Sequence, residues 1–342
     1  MTDLWTYLQT AKKPILLYGM GNGADKIFNR LNTLGISVSG VFVSDGFVRD
    51  KTYRGFKLMN YSDAKNIFGD FIVLTAFGTQ LTEVMDNIKR ISNEQQLFSP
   101  DLPVFGENIF DKEFYSANKE SIDFVKSRFA DKKSAEVFDD IITYKLSGNI
   151  IPLCRCETEV SEAYENILRL TDTEIYLDLG AYRGDTVQQF LNYAGGAKKI
   201  YAVEPDCKSF KKLVQNVGSD VVCLNVAIWD KTGFVTFDTQ SRRNSHVSNL
   251  GIKVQTDTVD NILNGSLATF IKMDVEGAEK QAIMGARFTI QNYKPKLSIA
   301  AYHRSEDIFE IPKQILALNP DYKMYLRHFP YIPAWDLNYY FI

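Results

Sequence analysis

Short apolar runs alternate with amphipathic stretches along most of this chain. Residues 14–20 (PILLYGM) are apolar enough for a buried strand. The stretch after them carries Ala24, Ile27, Phe28, Leu31 and Leu34 at helical spacing, and Gly35 closes that helix. The same reading predicts strands over 37–43 and 71–76 and a helix over 81–91. A short strand at Val104 and Phe105 would finish this first unit. Residues 111–148 are charged and helical in pattern, with Phe114, Ile122, Val125, Phe129, Val137, Phe138 and Ile141 among their apolar positions. About two helices bridging two domains are expected there, with Pro152 near the entry to the second.

The second unit repeats the alternation. Strands are predicted over 174–179, 199–203, 221–226, 233–238, 270–273 and 296–301, and helices over 186–193 and 207–217. Two β-rich runs, 323–328 and 338–342, close the chain. Strand–helix alternation predicts an α/β fold of two Rossmann-like, doubly wound domains, and the closing pair predicts an antiparallel addition at one sheet edge. The expected division is 1–110, a helical linker over 111–150, and 151–342.

Length supports this division, because 342 residues are many for one core. A net charge of −3 gives no bulk attraction for nucleic acid or anionic membrane. No apolar run is long enough to span a bilayer, and the start, MTDLWTYLQTAKK, lacks a signal-peptide pattern, so a cytoplasmic protein is expected. Cys154 and Cys156 form a C-x-C pair without nearby histidine, which favours reduced thiols over a metal site. Composition leaves room for a homo-oligomer.

The chemistry concentrates in three segments. Asp178, Gly180, Ala181, Gly184, Asp185 and Thr186 lie on a loop between a predicted strand and helix. Ligands of open α/β sheets bind outside the carboxyl ends of the strands. Glycines there allow close backbone approach, and the helix start offers free N–H groups. Glu204, followed by Pro205, ends the next strand, where an acid can accept from both ribose hydroxyls. Those features indicate a nucleoside ligand. The G-x-x-x-G spacing behind an acid disfavours a pyrophosphate, which Asp178 would repel, and suits the ammonium of a methionine moiety. The third segment, FIKMDVEGAE, brings Lys272, Asp274 and Glu276 to the sheet edge.

The runs IYLDLGAYRGDT, YAVEPDCKSFKKLVQN, NVAIWDKTGFVTF, FIKMDVEGAEKQAIMGA and KPKLSIAAYH resemble the FkbM-type methyltransferases, in family order over roughly residues 170–330. The resemblance implies a class I methyltransferase fold and S-adenosylmethionine as cofactor. It implies methylation of a hydroxyl, often on a sugar, glycan precursor or secondary metabolite. It further implies that Asp178, Gly180 and Glu204 hold the cofactor and that Asn225 to Ala227 lie near the adenine. Lys272, Asp274, Glu276 and His303 become acceptor-side candidates. His303 is slightly favoured over Asp274 as general base, because imidazole titrates near neutrality. Lys272 and the neighbouring acids also permit a divalent metal. Arg242 and Arg243, on the polar run 239–246, could grip an anionic acceptor.

In the first unit, Gly19, Gly21, Gly23 and Ala24 follow a strand, and Asp45 follows the next one. This Rossmann-like fingerprint resembles nucleotide-sugar-binding domains and predicts a nucleotide or nucleotide-sugar, with NAD as the alternative ligand. An NAD(P)-dependent oxidoreductase would need an acid–base residue nearby. Residues 1–150 contain no histidine, while Tyr53, Tyr61 and Tyr115 each precede a lysine by four residues. A non-catalytic nucleotide-binding protein is the remaining alternative.

Overall fold

In the computed structural model of this chain, residues 2–44, 52–238, 246–247 and 252–342 are described. The first unit is built on β1 (Ile15–Tyr18), β2 (Gly40–Phe42), β3 (Thr52–Tyr53), β4 (Phe56–Lys57), β5 (Ile72–Thr75) and β6 (Gln96–Phe98). Four of these form a parallel sheet in the order β2-β1-β5-β6, and β3 and β4 pair as a separate hairpin. Every residue of β1 and β5 is buried, as expected of parallel strands covered on both faces. Gly23 explains how tightly the helix Asn22–Thr33 sits on this sheet. A Cβ there would lie 2.2 Å from the Ala76 carbonyl oxygen.

One expected strand is absent. The sheet ends at β6, not at Val104 and Phe105. Phe105 turns instead toward the second unit, where its N–H donates to the His303 carbonyl at 2.9 Å. Pro103 lacks an N–H for a ladder, so the segment works as a wall between units rather than as a strand.

Between the units lie helices Lys112–Ala117, Lys119–Lys126, Lys132–Ser147 and Ile150–Arg155, twice the two foreseen. They do not hang as a tether. Lys132–Ser147 packs on the last sheet and Lys119–Lys126 packs on the helix Asp307–Leu318. Their Val125, Phe138 and Ile141 join one core with Leu297, Ile299 and Met324.

The second unit holds β7 (Ile175–Leu179), β8 (Lys199–Val203), β9 (Val221–Leu224), β10 (Ala227–Ile228), β11 (Gly233–Asp238), β12 (His246–Val247), β13 (Ile252–Asp257), β14 (Phe270–Met273), β15 (Lys296–Ala300), β16 (Met324–His328) and β17 (Leu337–Phe341). Seven of them form one sheet in the order β16-β17-β15-β14-β7-β8-β9. The strands from β15 to β9 run parallel, and β17 lies antiparallel to both its neighbours. The expected terminal β pair is therefore present. β10 to β13 form a small side sheet, in which β13 was not foreseen. From β7 the chain builds outward through β8 and β9, then returns to β14 on the other side. That reversal opens a crevice at the carboxyl ends of β7 and β14, where ligands of open α/β sheets bind. Among the described residues no helix is long and apolar enough to cross a membrane.

Arg327 locks the helical layer to this sheet. Its side chain is 1% exposed. It donates to Glu162, to Asp131 at 2.6 Å, to the Ser134 hydroxyl at 2.8 Å and to the Leu326 carbonyl at 2.8 Å. Asp131 also caps the helix Lys132–Ser147. Arg327→Met should thus cost about 3 kcal/mol, measured as a lower urea midpoint, because two partly covered carboxylates lose their counter-ion. A midpoint within error of the parent would show that the pair contributes nothing net.

Candidate functional site

A cavity of about 570 Å³ opens at the carboxyl edge of the seven-stranded sheet, within the usual range for ligand pockets. Its floor comes from the ends of β7, β8, β14 and β15. Gly180, Asp185, Thr186, Glu204, Pro205, Lys272, Asp274, Glu276 and His303 all line it.

The loop after β7 is shaped by one backbone contact. Gly180 has φ +88°, and a Cβ there would stand 1.9 Å from the Asp274 carbonyl oxygen. Only glycine lets the β7 and β14 loops meet this closely. Gly180 and Ala181 both donate to the Val203 carbonyl, at 3.0 and 2.9 Å, which ties the loop to β8 as well. Ala181 is fully buried and does not reach the cavity. Gly184 precedes the helix Asp185–Ala194 and faces Val217, not the cavity.

Glu204 is buried at the end of β8. Its two oxygens each accept one backbone N–H, from Tyr182 at 2.9 Å and Asp206 at 2.8 Å. Burial pushes its carboxyl up to about 7 despite those two donors. Each oxygen keeps a lone pair for a further donor. Asn225 has a different place from the one expected. It braces the loop by donating to the Glu204 and Pro205 carbonyls at 2.8 and 3.1 Å, and it does not line the cavity. Ala227 does line it.

Asp178 lies one layer beneath the lining and is fully buried. It accepts from the Thr186 hydroxyl, and Lys272 Nζ stands 3.8 Å from its Oδ1. Lys272 also lies 3.6 Å from Asp274. Burial opposes the charge on Lys272, but Asp274 and Asp178 outweigh it and raise the ammonium's pKa. Burial likewise raises the Asp178 carboxyl. Asp274 resists the same burial, because Lys272, His303 and the Tyr302 hydroxyl at 3.1 Å hold its carboxyl low.

His303 is 1% exposed and sits among three carboxylates. Glu279 Oε1 is 3.0 Å from Nδ1, and Glu276 and Asp274 are 3.5 and 3.6 Å from Nε2. Burial disfavours its charge, yet Glu279 and Glu276 lift its pKa well above that of free imidazole. An imidazole already holding its proton cannot accept another, so this setting opposes the general-base role expected for His303. Glu276 is pushed up by burial, with His303 pulling the other way.

Sequence reasoning passed over Glu279, Tyr302, Tyr182 and the cavity wall from the first unit. Glu279 stands inside the D-V-E-G-A-E run and Tyr302 beside His303, so both had a local signal. Gly78, Gln80 and Val104 had none, nor did Tyr331 and Trp335 of the second unit beside them, because they converge only through folding. The first-unit glycines lie at the carboxyl end of β1, where Gly19 faces Phe77 and Gly21 precedes the helix. Ala24 lies on the buried face of that helix. The cavity beside them, at Asn22, Gly23 and Lys26, holds about 120 Å³, small for a nucleotide. Asp45 and the Arg242–Arg243 pair lie outside the described residues.

Residues 178–332 match the family model described as the methyltransferase FkbM domain. The fold is similar to that of methyltransferase FkbM from Methylobacillus flagellatus KT, with TM-score 0.74, 22% identity, and coverage of 96% of this chain and 90% of that one. An rRNA methylase from Streptococcus thermophilus is similar over 54% of this chain and 96% of its own, with TM-score 0.38 and 11% identity. Fibrillarin from Aeropyrum pernix, solved with natively bound S-adenosyl-L-methionine, is similar over 50% of this chain and 67% of its own, with TM-score 0.34 and 12% identity. No curated protein gives a significant match.

The Gly180 contact is testable against a control. Gly195 also has positive φ, +75°, but nothing lies within 4 Å of a Cβ there. Gly195→Ala should cost about 1 kcal/mol from backbone strain alone. Gly180→Ala should cost about 3 kcal/mol or more, because a carbonyl must also move. Equal melting temperatures for the two variants would show that the loop contact is not tight.

Proposed function

We propose that this chain is an S-adenosylmethionine-dependent methyltransferase acting on a hydroxyl of a sugar, glycan precursor or related metabolite. The observation that carries the reading is Glu204, a buried carboxylate with one free lone pair on each oxygen, beside the glycine-shaped loop of Gly180 on one cavity. That pair suits a ribose diol next to a closely approaching backbone. The match of 178–332 to a methyltransferase domain supports it.

The residues fit such a donor. Asp178 Oδ1 is buried without a hydrogen-bond partner, and Asp185 and Asp274 line the same end of the cavity. The negative field there suits an ammonium and a sulfonium. When bound, the donor supplies an electrophilic methyl group. The chain's own residues then position and deprotonate the acceptor. Thr186, held by Asp178, fixes the loop end. Tyr302 holds Asp274 in place. Glu276 takes the acceptor's proton, since its raised pKa makes it a stronger base than Asp274. His303 stays charged beside it and steadies the carboxylates. Gly78 and Gln80, with Trp335 from the second unit, wall the acceptor side, so the first unit completes the pocket rather than serving an oxidoreductase of its own.

Binding carries a pH signature. A carboxyl raised to about 7 stabilises the fold below the ordinary carboxylate range and loses that contribution as pH rises through 7. A ligand diol needs the ionised form, so its affinity moves the opposite way. Calorimetry with S-adenosylhomocysteine should show binding about tenfold tighter at pH 8 than at pH 6. Glu204→Gln should bind weakly and lose that pH dependence. Methyl transfer to sugar hydroxyls is assayed in parallel with labelled donor. Wild-type protein that binds no S-adenosylhomocysteine at either pH would end this reading.

A further inference from the structure

We propose that Asp274, Glu279 and His303 form a divalent-cation site at the cavity floor, of the class that accepts mixed carboxylate and imidazole ligands, such as Mn2+. One ligand atom from each residue can be chosen so that all three lie within 4.8 Å of one another. Ligands on opposite sides of an ion with bonds of about 2.0–2.4 Å stand about 4.0–4.8 Å apart, so the spacing accommodates one ion. The three come from separate places. Asp274 follows β14, His303 follows β15, and Glu279 opens the helix Glu279–Gly285.

Unused ligand capacity is the second, independent observation. Both His303 ring nitrogens are buried without a well-directed hydrogen bond. Phe105 and Tyr302 pack on the ring, with centroids 5.8 and 4.2 Å away, and hold its orientation. Glu279 is 1% exposed. Its Oε1 accepts the Val275 and Gly277 N–H groups at 3.0 and 3.3 Å, which fixes the carboxylate, while Oε2 has no partner. Buried polar atoms are rarely left unpaired. A cation would satisfy orphans on two residues at once, replacing the proton that His303 otherwise holds among Glu279, Glu276 and Asp274.

Charge points the same way. Asp274, Glu276 and Glu279 face His303, and Asp307 lies beyond Glu279. Against these stands Lys272, whose ammonium occupies the space between Asp178 and Asp274. The lysine thus stands by Asp274 Oδ2, while Oδ1 faces His303 and accepts from the Tyr302 hydroxyl, with lone-pair capacity left for an ion. Ordinary water or an acceptor oxygen from the cavity would complete the coordination shell. A cation there would orient that oxygen and lower its proton affinity. This consequence rests on the proposed methyl transfer, while the site itself does not.

The test uses the full chain after chelator treatment. Mn2+ binding is read by loss of the free-ion electron paramagnetic resonance signal and by calorimetry, without donor or acceptor. One Mn2+ should bind per chain. Glu279→Gln keeps an oxygen for Val275 and Gly277, and Asp274→Asn is nearly isosteric. Each should weaken Mn2+ by at least about tenfold, and Glu279→Gln, which lies outside the cavity lining, should keep S-adenosylhomocysteine affinity within about twofold. No Mn2+ uptake by the parent at about 1 mM, or both variants binding like the parent, overturns the site. So does loss of both affinities in step in Glu279→Gln. A parent that takes Mn2+ but not S-adenosylhomocysteine would overturn the methyltransferase reading and leave the cation site standing.

Discussion

Lys272 is the constraint around which the crevice is built. Its half-buried ammonium stands at the carboxyl edge of β14, 3.8 Å from Asp178 and 3.6 Å from Asp274. A cation in that setting is tolerable only with carboxylates close by. The parallel register places Lys272 beside Asp178 on the adjacent strand, and the Asp274 N–H continues the ladder by donating to the Leu179 carbonyl at 2.9 Å. From that fixed point the loops can follow only narrow paths. Gly180 meets the Asp274 carbonyl, Thr186 returns to Asp178, and Tyr302 reaches Asp274 from β15. One ion cluster therefore sets the relative height of three strand ends, and those ends form the cavity floor.

The first unit is joined to that floor by polar and apolar contacts of different kinds. Thr79 and Ile332 exchange backbone hydrogen bonds at 2.8 and 3.0 Å. Trp335 lies so close to Gly78 that a Cβ there would come within 2.5 Å of the ring. Ser305 donates to the Asn108 carbonyl at 2.6 Å, and Lys26 donates to the Pro103 and Val104 carbonyls at 2.8 and 2.9 Å. These bonds hold the segment from Pro103 to Phe105 over His303. Water is thereby kept from the imidazole, which strengthens every charge interaction around it.

Much of the architecture was legible because period is local. Apolar runs gave β1, β5, β7, β8, β14 and β15, and helical spacing gave the helices that follow β1, β7 and β8. The closing β runs were equally plain. Val104 and Phe105 misled because two apolar residues look alike in a strand and in an interface. β6 went unseen because Gln96–Phe98 is short and directly follows a helix. In the site, strand-end acids announced themselves by position in the pattern. Asn225 did not, since a side chain that braces a loop and one that meets a ligand occupy the same kind of sequence. His303 shows the limit most clearly. Its residue type suggested a neutral base, but Glu279 and Glu276 become its neighbours only through the fold, and they reverse its charge state.

The distribution of unsatisfied polar atoms says more than their number. Among the described residues ten buried side-chain atoms lack a hydrogen-bond partner. Five of them belong to Asp178, Glu279, His303 and Asp307. The first three stand around the ends of three adjacent strands, and Asp307 lies just behind them. Elsewhere the chain satisfies even demanding groups, as Arg327 shows with five nitrogen-donated bonds. A fold selected for stability alone would spread such orphans or replace them with apolar side chains. They gather at and just behind the cavity floor, with only His303 of the four lining the cavity itself, and a cation bound there would supply missing partners. The same unpaired atoms that weaken the fold thus become the means of recognition.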